Sequence, residues 1–194
     1  MRQVLYITGN LSTTSKPKRT LTWKEISEWQ LDNKYIVSGY RQEKADDLET
    51  LISLTFLHNE TCNIYTHLIG TILLPTFIII FHLSRPQFLN ISTMDYTIFG
   101  IYFCSAEICL ILSTLYHLML SHSHYIERLW QGMDFLGIII LILGTLVSGV
   151  YYVFFYELSL QKLHWTIVSY LQAIQYSFTN ISSRFLLSVL LLVL

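Results

Sequence analysis

Charge is scarce in this 194-residue chain: Asp, Glu, Lys and Arg make up 13% of it, whereas soluble domains carry about a quarter. With hydrophobic residues at 53%, that scarcity excludes an ordinary water-soluble domain and points to a polytopic membrane protein. The formal net charge is −1. No positive excess is available for a phosphate backbone, which argues against a nucleic-acid partner. Cysteine is scarcer still. Cys62, Cys104 and Cys109 give an odd count, two of them inside an apolar stretch; no disulfide framework is expected, and the thiols read as small packing residues. No secretory signal is expected, because the apolar run Met1 to Ile7 is too short and polar residues follow it. The amino-terminal arm is therefore expected to stay in the cytosol.

The charge that is present is placed unevenly. Arg2, Lys16, Lys18, Arg19, Lys24, Lys34, Arg41 and Lys44 crowd the first segment. A membrane span needs about 20 predominantly apolar residues; segments 67–83, 96–120 and 135–156 qualify, 164–180 is weakened by Gln172 and Gln175, and 185–194 is an incomplete run. The expected fold class is an all-α polytopic membrane bundle over 58–194, preceded by a cytosolic arm over 1–57. Short polar connections, Ser84–Asp95 and Ser121–Asp134, make helix hairpins of the spans, and Pro75 is expected to kink the first. With the amino terminus inside, the cytosolic face also holds Arg128 and Arg184, against Arg85 and Lys162 outside, which favours that orientation. Of four sequons only Asn90 then lies outside, in a loop too short to be a good acceptor.

Within the arm, residues 1 to about 20 show little periodicity and are expected to be disordered. Trp23, Ile26 and Trp29 recur at helical spacing, which predicts a short amphipathic helix from Thr22 to Leu31; Leu48, Leu51, Ile52 and Thr55–Phe56 resume the period after breaks at Asp32–Asn33 and Ser38–Gly39. These pieces lie on the cytosolic leaflet or pack against the ends of the bundle.

Polar residues at the edges of the spans carry the chemistry. His58-Asn-Glu-Thr-Cys-Asn-Ile-Tyr-Thr-His67 forms a collar at the start of the first span, where such groups must find partners or water. Glu60 and Asn63 are expected to tie helix ends together, and His67 to support the rim. Ser113 and His117, four apart, share one face of the second span; His117 lies about 5 Å from its end by the helical rise. Asp134 is expected to open the next helix at the same level. Taken alone, His117 reads as a hydrogen-bonded rim residue, and His122 and His124 as solvated loop residues. Glu107 sits mid-span and should be neutral or face the interior, bonded to a Ser, Thr or Tyr. Gly144 to Gly149, with Thr145 and Ser148, supplies small residues for close helix contact.

The collar, Ser113-Thr-Leu-Tyr-His117 with His122-Ser123 after it, and Asp134 resemble the progestin and adiponectin receptor family, which includes haemolysin III-like proteins. The resemblance runs from about Trp23 to about Trp165. It implies part of a seven-helix adiponectin-receptor-like fold and a zinc site in which His117 is a ligand, with Ser113 and Asp134 catalytic: one contacting water, the other positioning or accepting protons. The family's His-x-x-x-His in a seventh helix has no counterpart, since His164 is the last histidine. The zinc site is thus expected to be incomplete, and the chain to be truncated and inactive as it stands. For a complete protein, the resemblance implies zinc-linked lipid or sterol metabolism and signalling, including ceramidase-type amide hydrolysis, in the endoplasmic reticulum or plasma membrane. The alternative is a non-enzymatic receptor or zinc-homeostasis regulator. Expected partners are membrane lipids and a lipid or sterol-like ligand.

Overall fold

The computed structural model describes residues 19–31, 33–44, 46–84 and 91–178, with side chains as far as Tyr170. Residues 1–18, the Asn90 sequon and the run 185–194 lie outside it. The arm holds two antiparallel strands, β1 (Thr20–Thr22) and β2 (Ser38–Arg41), in register Thr20 to Arg41 and Leu21 to Tyr40. The helix expected from Thr22 to Leu31 is not formed. A turn and one 3-10 turn (Glu28–Gln30) stand in its place. The Glu25 carboxylate accepts the Thr22 amide and hydroxyl, both at 2.9 Å, and the Trp23 amide donates to the Val37 carbonyl at 3.2 Å. Pairing across the hairpin outweighs the local period of the tryptophans. Gly39, at φ 91°, is the bend that lets β2 lie against the collar: its carbonyl accepts the Asn59 amide at 2.8 Å.

Helix α1 (Asp47–Ile52) is capped by the Asp46 side chain and runs into a 3-10 turn, Ser53–Thr55. Then come α2 (Thr61–Ser84), α3 (Thr93–Met119), α4 (His124–Val153) and α5 (Leu158–Phe178). The first three of these four are long and apolar enough to cross a membrane. Helix α2 passes unbroken through Pro75. Helix α4 begins well before the expected span at 135, so Asp134 does not open it. Ser123 caps α4 and Glu127 sits in its first turn. Apolarity marks only the lipid-facing length of a helix, and these turns project beyond it.

Helix α3 lies between its neighbours. Against α4 it packs through small residues: a Cβ on Gly137 would stand 3.1 Å from Cys109 Cα, and one on Gly144 would stand 2.7 Å from Ser105 Cβ. The Ser148 hydroxyl donates to the Ile98 carbonyl at 3.3 Å. Against α2, Gly70 meets Leu110. Apolar side chains such as Ile72, Phe77 and Ile142 face outward, while Ser105, Ser113, Thr114 and Glu60 are buried, as suits a bundle in lipid.

Candidate functional site

The collar folds into a hydrogen-bonded knot at the start of α2. The His58 amide donates to Thr61 Oγ1 at 2.8 Å, and the Glu60 amide to His58 Nδ1 at 3.2 Å. The Glu60 side chain accepts from Asn59 at 2.7 Å, from Asn63 at 2.8 Å and from His117 Nδ1 at 2.9 Å. Burial pushes the Glu60 carboxyl up, but the bonds from His117 and Asn63 outweigh it and hold the group below the usual carboxylate range. An ionised carboxylate only accepts, so the His117 proton facing it is on Nδ1 and a neutral ring presents Nε2 as its acceptor nitrogen. Thus Glu60 and Asn63 tie the start of α2 to the end of α3. The ring of His67 stacks on that of His117, centroids 5.9 Å apart and 9° from parallel.

The end of α3 is held from the arm as well. The last carbonyls of a helix lack intrahelical partners and carry its negative dipole end. Arg41 supplies what they need: Nη2 donates to the His117 carbonyl at 2.6 Å, Nη1 to the Leu118 carbonyl at 2.8 Å and to Ser53 Oγ at 3.0 Å. Burial pulls the Arg41 guanidinium down to about 10, with Glu60 opposing. His58 is likewise held down, to about 4, by burial first and then by the Arg41 charge, against the pull of Glu60.

Ser113 is buried on α3, one turn before His117. Since Gly137 meets Cys109 and the two helices run antiparallel, Asp134 stands about level with Ser113, a turn deeper than His117 rather than beside it. The Asp134 charge bears on His67 and Cys109. His122 is not solvated as expected: it is half-buried and meets Asp47 at 3.4 Å. His124 is exposed but sits in the first turn of α4, with its ring 5.5 Å from Trp29. The Ser, Thr or Tyr partner expected for Glu107 is not found among the described residues, where its buried Oε2 has no hydrogen bond. Also among the described residues, no group of three or more His, Cys, Asp and Glu is placed to hold a metal ion. Sequence reasoning missed Arg41, which nothing distinguishes from the other cations of the arm, and the Glu60 to His117 contact, which joins residues 57 positions apart.

Residues 55–192 match the model of the family described as haemolysin-III related. Over 156 residues the chain is 38% identical to the ADIPOR-like receptor IZH2 of Saccharomyces cerevisiae, covering 78% of this chain and 49% of the relative. It is 32% identical over 149 residues to progestin and adipoQ receptor-like protein 1 of Caenorhabditis elegans (76% and 34% covered) and 38% over 138 residues to human progestin and adipoQ receptor family member 3 (71% and 44%). The chain spans about half the length, or less, of these relatives.

Proposed function

Because the chain belongs to the haemolysin-III related family, and so is a multi-pass membrane protein, we propose that it serves zinc-linked lipid or sterol metabolism and signalling, with His117 as one zinc ligand. The arm lies on the cytosolic side, a reading supported by the crowding of Lys and Arg in it. The observation that carries the metal reading is the 2.9 Å bond from His117 Nδ1 to Glu60. A carboxylate on one ring nitrogen fixes the tautomer and aims the other nitrogen, as is usual for metal-binding histidines.

The described residues fit a zinc ion only in part. They offer this one oriented imidazole, while a zinc site normally takes three or more protein ligands. A complete zinc site would draw its remaining donors from outside the described residues. When bound, zinc supplies Lewis acidity and a more acidic water. Of the chain's own groups, Glu60 orients His117, Ser113 holds water by its hydroxyl, and Asp134 positions or accepts protons one turn deeper. The substrate class is a lipid amide of ceramide type, reached laterally from the bilayer. The competing reading, a receptor or zinc-homeostasis regulator without turnover, is supported by the names of the three relatives, each of which contains the word receptor.

Metal content and lipid-amide turnover of the purified protein separate the two. As it stands, the chain should purify with little zinc and hydrolyse no lipid amide. Extending it with a helix bearing His-x-x-x-His should raise zinc binding in a His117-dependent way, and Glu60→Gln should weaken it about 10- to 100-fold. Stoichiometric zinc that survives His117→Ala would overturn the assignment. Zinc held by the extended form without turnover would favour the receptor.

A further inference from the structure

We propose that the cavity between the hairpin, α1 and the end of α3 is a binding site for a phosphate-bearing anion. It measures about 260 Å³, and its walls carry Arg19, Arg41, Lys44, Glu49, Ser53 and Ser121. Three cations therefore face one carboxylate, and that carboxylate, Glu49, lies 3.1 Å from Lys44. Glu49 offsets one positive charge at most.

Arg41 carries the argument further. It is 4% exposed, yet its hydrogen bonds go to neutral oxygens: the carbonyls of His117 and Leu118 and the hydroxyl of Ser53. No carboxylate among the described residues lies within ion-pair distance of it. Buried cations are normally paired with an anion. Glu60, whose charge reaches Arg41, already accepts from Asn59, Asn63 and His117. The dipole end of α3 supplies only a partial negative charge. An anion in the cavity would supply the rest, with Arg19 and Lys44 as exposed cations on its other sides and Ser121 in the wall; the Ser53 hydroxyl is already used, accepting from Arg41 and donating to the Thr50 carbonyl. Arg19 is steadied over the Phe56 ring, 5.6 Å from its centroid.

The cavity includes Ser121, just past the end of α3, one of the helices able to cross a membrane, so a phospholipid phosphate and a soluble phosphate are both candidates to reach it. The site stands apart from the zinc reading, because neither Arg19 nor Lys44 touches the histidine cluster. Its link to that cluster is Arg41, which lines the cavity and holds the His117 carbonyl.

The test uses the chain in detergent, titrated with inorganic phosphate, and in nanodiscs of phosphatidylcholine with and without a phosphoinositide. The double variant Arg19→Gln, Lys44→Gln removes two exposed cations and leaves the Arg41 clamp in place. Phosphate or phosphoinositide binding should weaken at least tenfold in it and stay unchanged in the control Lys24→Gln, Lys34→Gln, which removes equal charge elsewhere on the arm. Binding of free phosphate in detergent identifies a soluble ligand, and binding only in phosphoinositide nanodiscs identifies the headgroup. Equal affinity in the first double variant, an equal loss in the control, or no binding by either probe would overturn the proposal.

Discussion

The rim of the bundle and the contact between α3 and α4 are built on opposite terms. At the rim, Arg41 and Glu60 reach the distant end of α3 at His117 and Leu118 by directed polar bonds, while His58 and Asn63 bind Glu60 locally. In the span, α3 and α4 meet at Gly137, Gly144 and Ser105 by close approach of their backbones, with the Ser148 hydroxyl bonded to the Ile98 carbonyl beside it. Lipid cannot drive apolar surfaces together as water does, so contact there depends on shape. At the rim water is near, and each polar group removed leaves a partner stranded. The two regions should therefore fail differently when mutated.

The largest effect is expected at the rim. Arg41→Met keeps the bulk of the side chain but leaves the carbonyls of His117 and Leu118 and the Ser53 hydroxyl without their donor. The loss should be about 1–3 kcal/mol for each acceptor left buried without its donor, read as thermal unfolding in detergent. Arg41→Lys should recover only part of it, because an ammonium cannot fork between two carbonyls. A variant as stable as the parent would show that the arm does not brace α3.

The span should answer to volume. Gly144→Val places a Cβ 2.7 Å from Ser105 Cβ and should destabilise by about 1–3 kcal/mol. Adding Ser105→Gly should restore most of that. Failure of the second change to rescue the first would mean that α3 and α4 are not held by this close approach.

The same contrast explains what was legible in the sequence. The three spans stand out because their lipid-facing lengths are apolar, and the shared face of Ser113 and His117 follows from helical spacing alone. The start of α4 at His124 was hidden because its first turns are polar, and with it the true depth of Asp134. The hairpin was misread because Trp23, Ile26 and Trp29 mimic a helical period, whereas the bond from Trp23 to Val37 is nonlocal. The rim role of Glu60 could be expected from a carboxylate in a collar. Its pairing with His117 could not, because contacts across helices leave no local trace.

Acidity offers a milder probe of the rim. His58 is held neutral in the fold, with its value lowered from 6.5 to about 4, so the unfolded chain binds the extra proton first as pH falls. The stabilisation is complete above pH 6.5 and drains away towards pH 4. The depressed Glu60 carboxyl adds a further loss at lower pH. Unfolding temperatures measured between neutral pH and pH 4 should decline, and His58→Gln should flatten the part above pH 4. A decline of the same size in that variant would assign the effect to other groups.

The smallest effect is expected at Glu107, which tests whether polar bonds also hold the middle of the bundle. Residue 107 is two positions from both Ser105 and Cys109, which face α4, and so points away from that helix; it lies three positions from Leu110, which meets α2 at Gly70. Its buried Oε2 has no hydrogen-bonding partner among the described residues. Glu107→Gln replaces the carboxyl by an amide of the same shape and removes no bond that these neighbours make. The expected change in detergent stability is within about 0.5 kcal/mol, the range of substitutions that touch no packed or bonded feature. A loss of about 2 kcal/mol or more would instead mean that Glu107 is engaged as a charged acceptor, the class of bond whose removal costs that much. Its partner would then belong to a segment outside the described residues, and the division between a bonded rim and a shape-packed span would no longer hold.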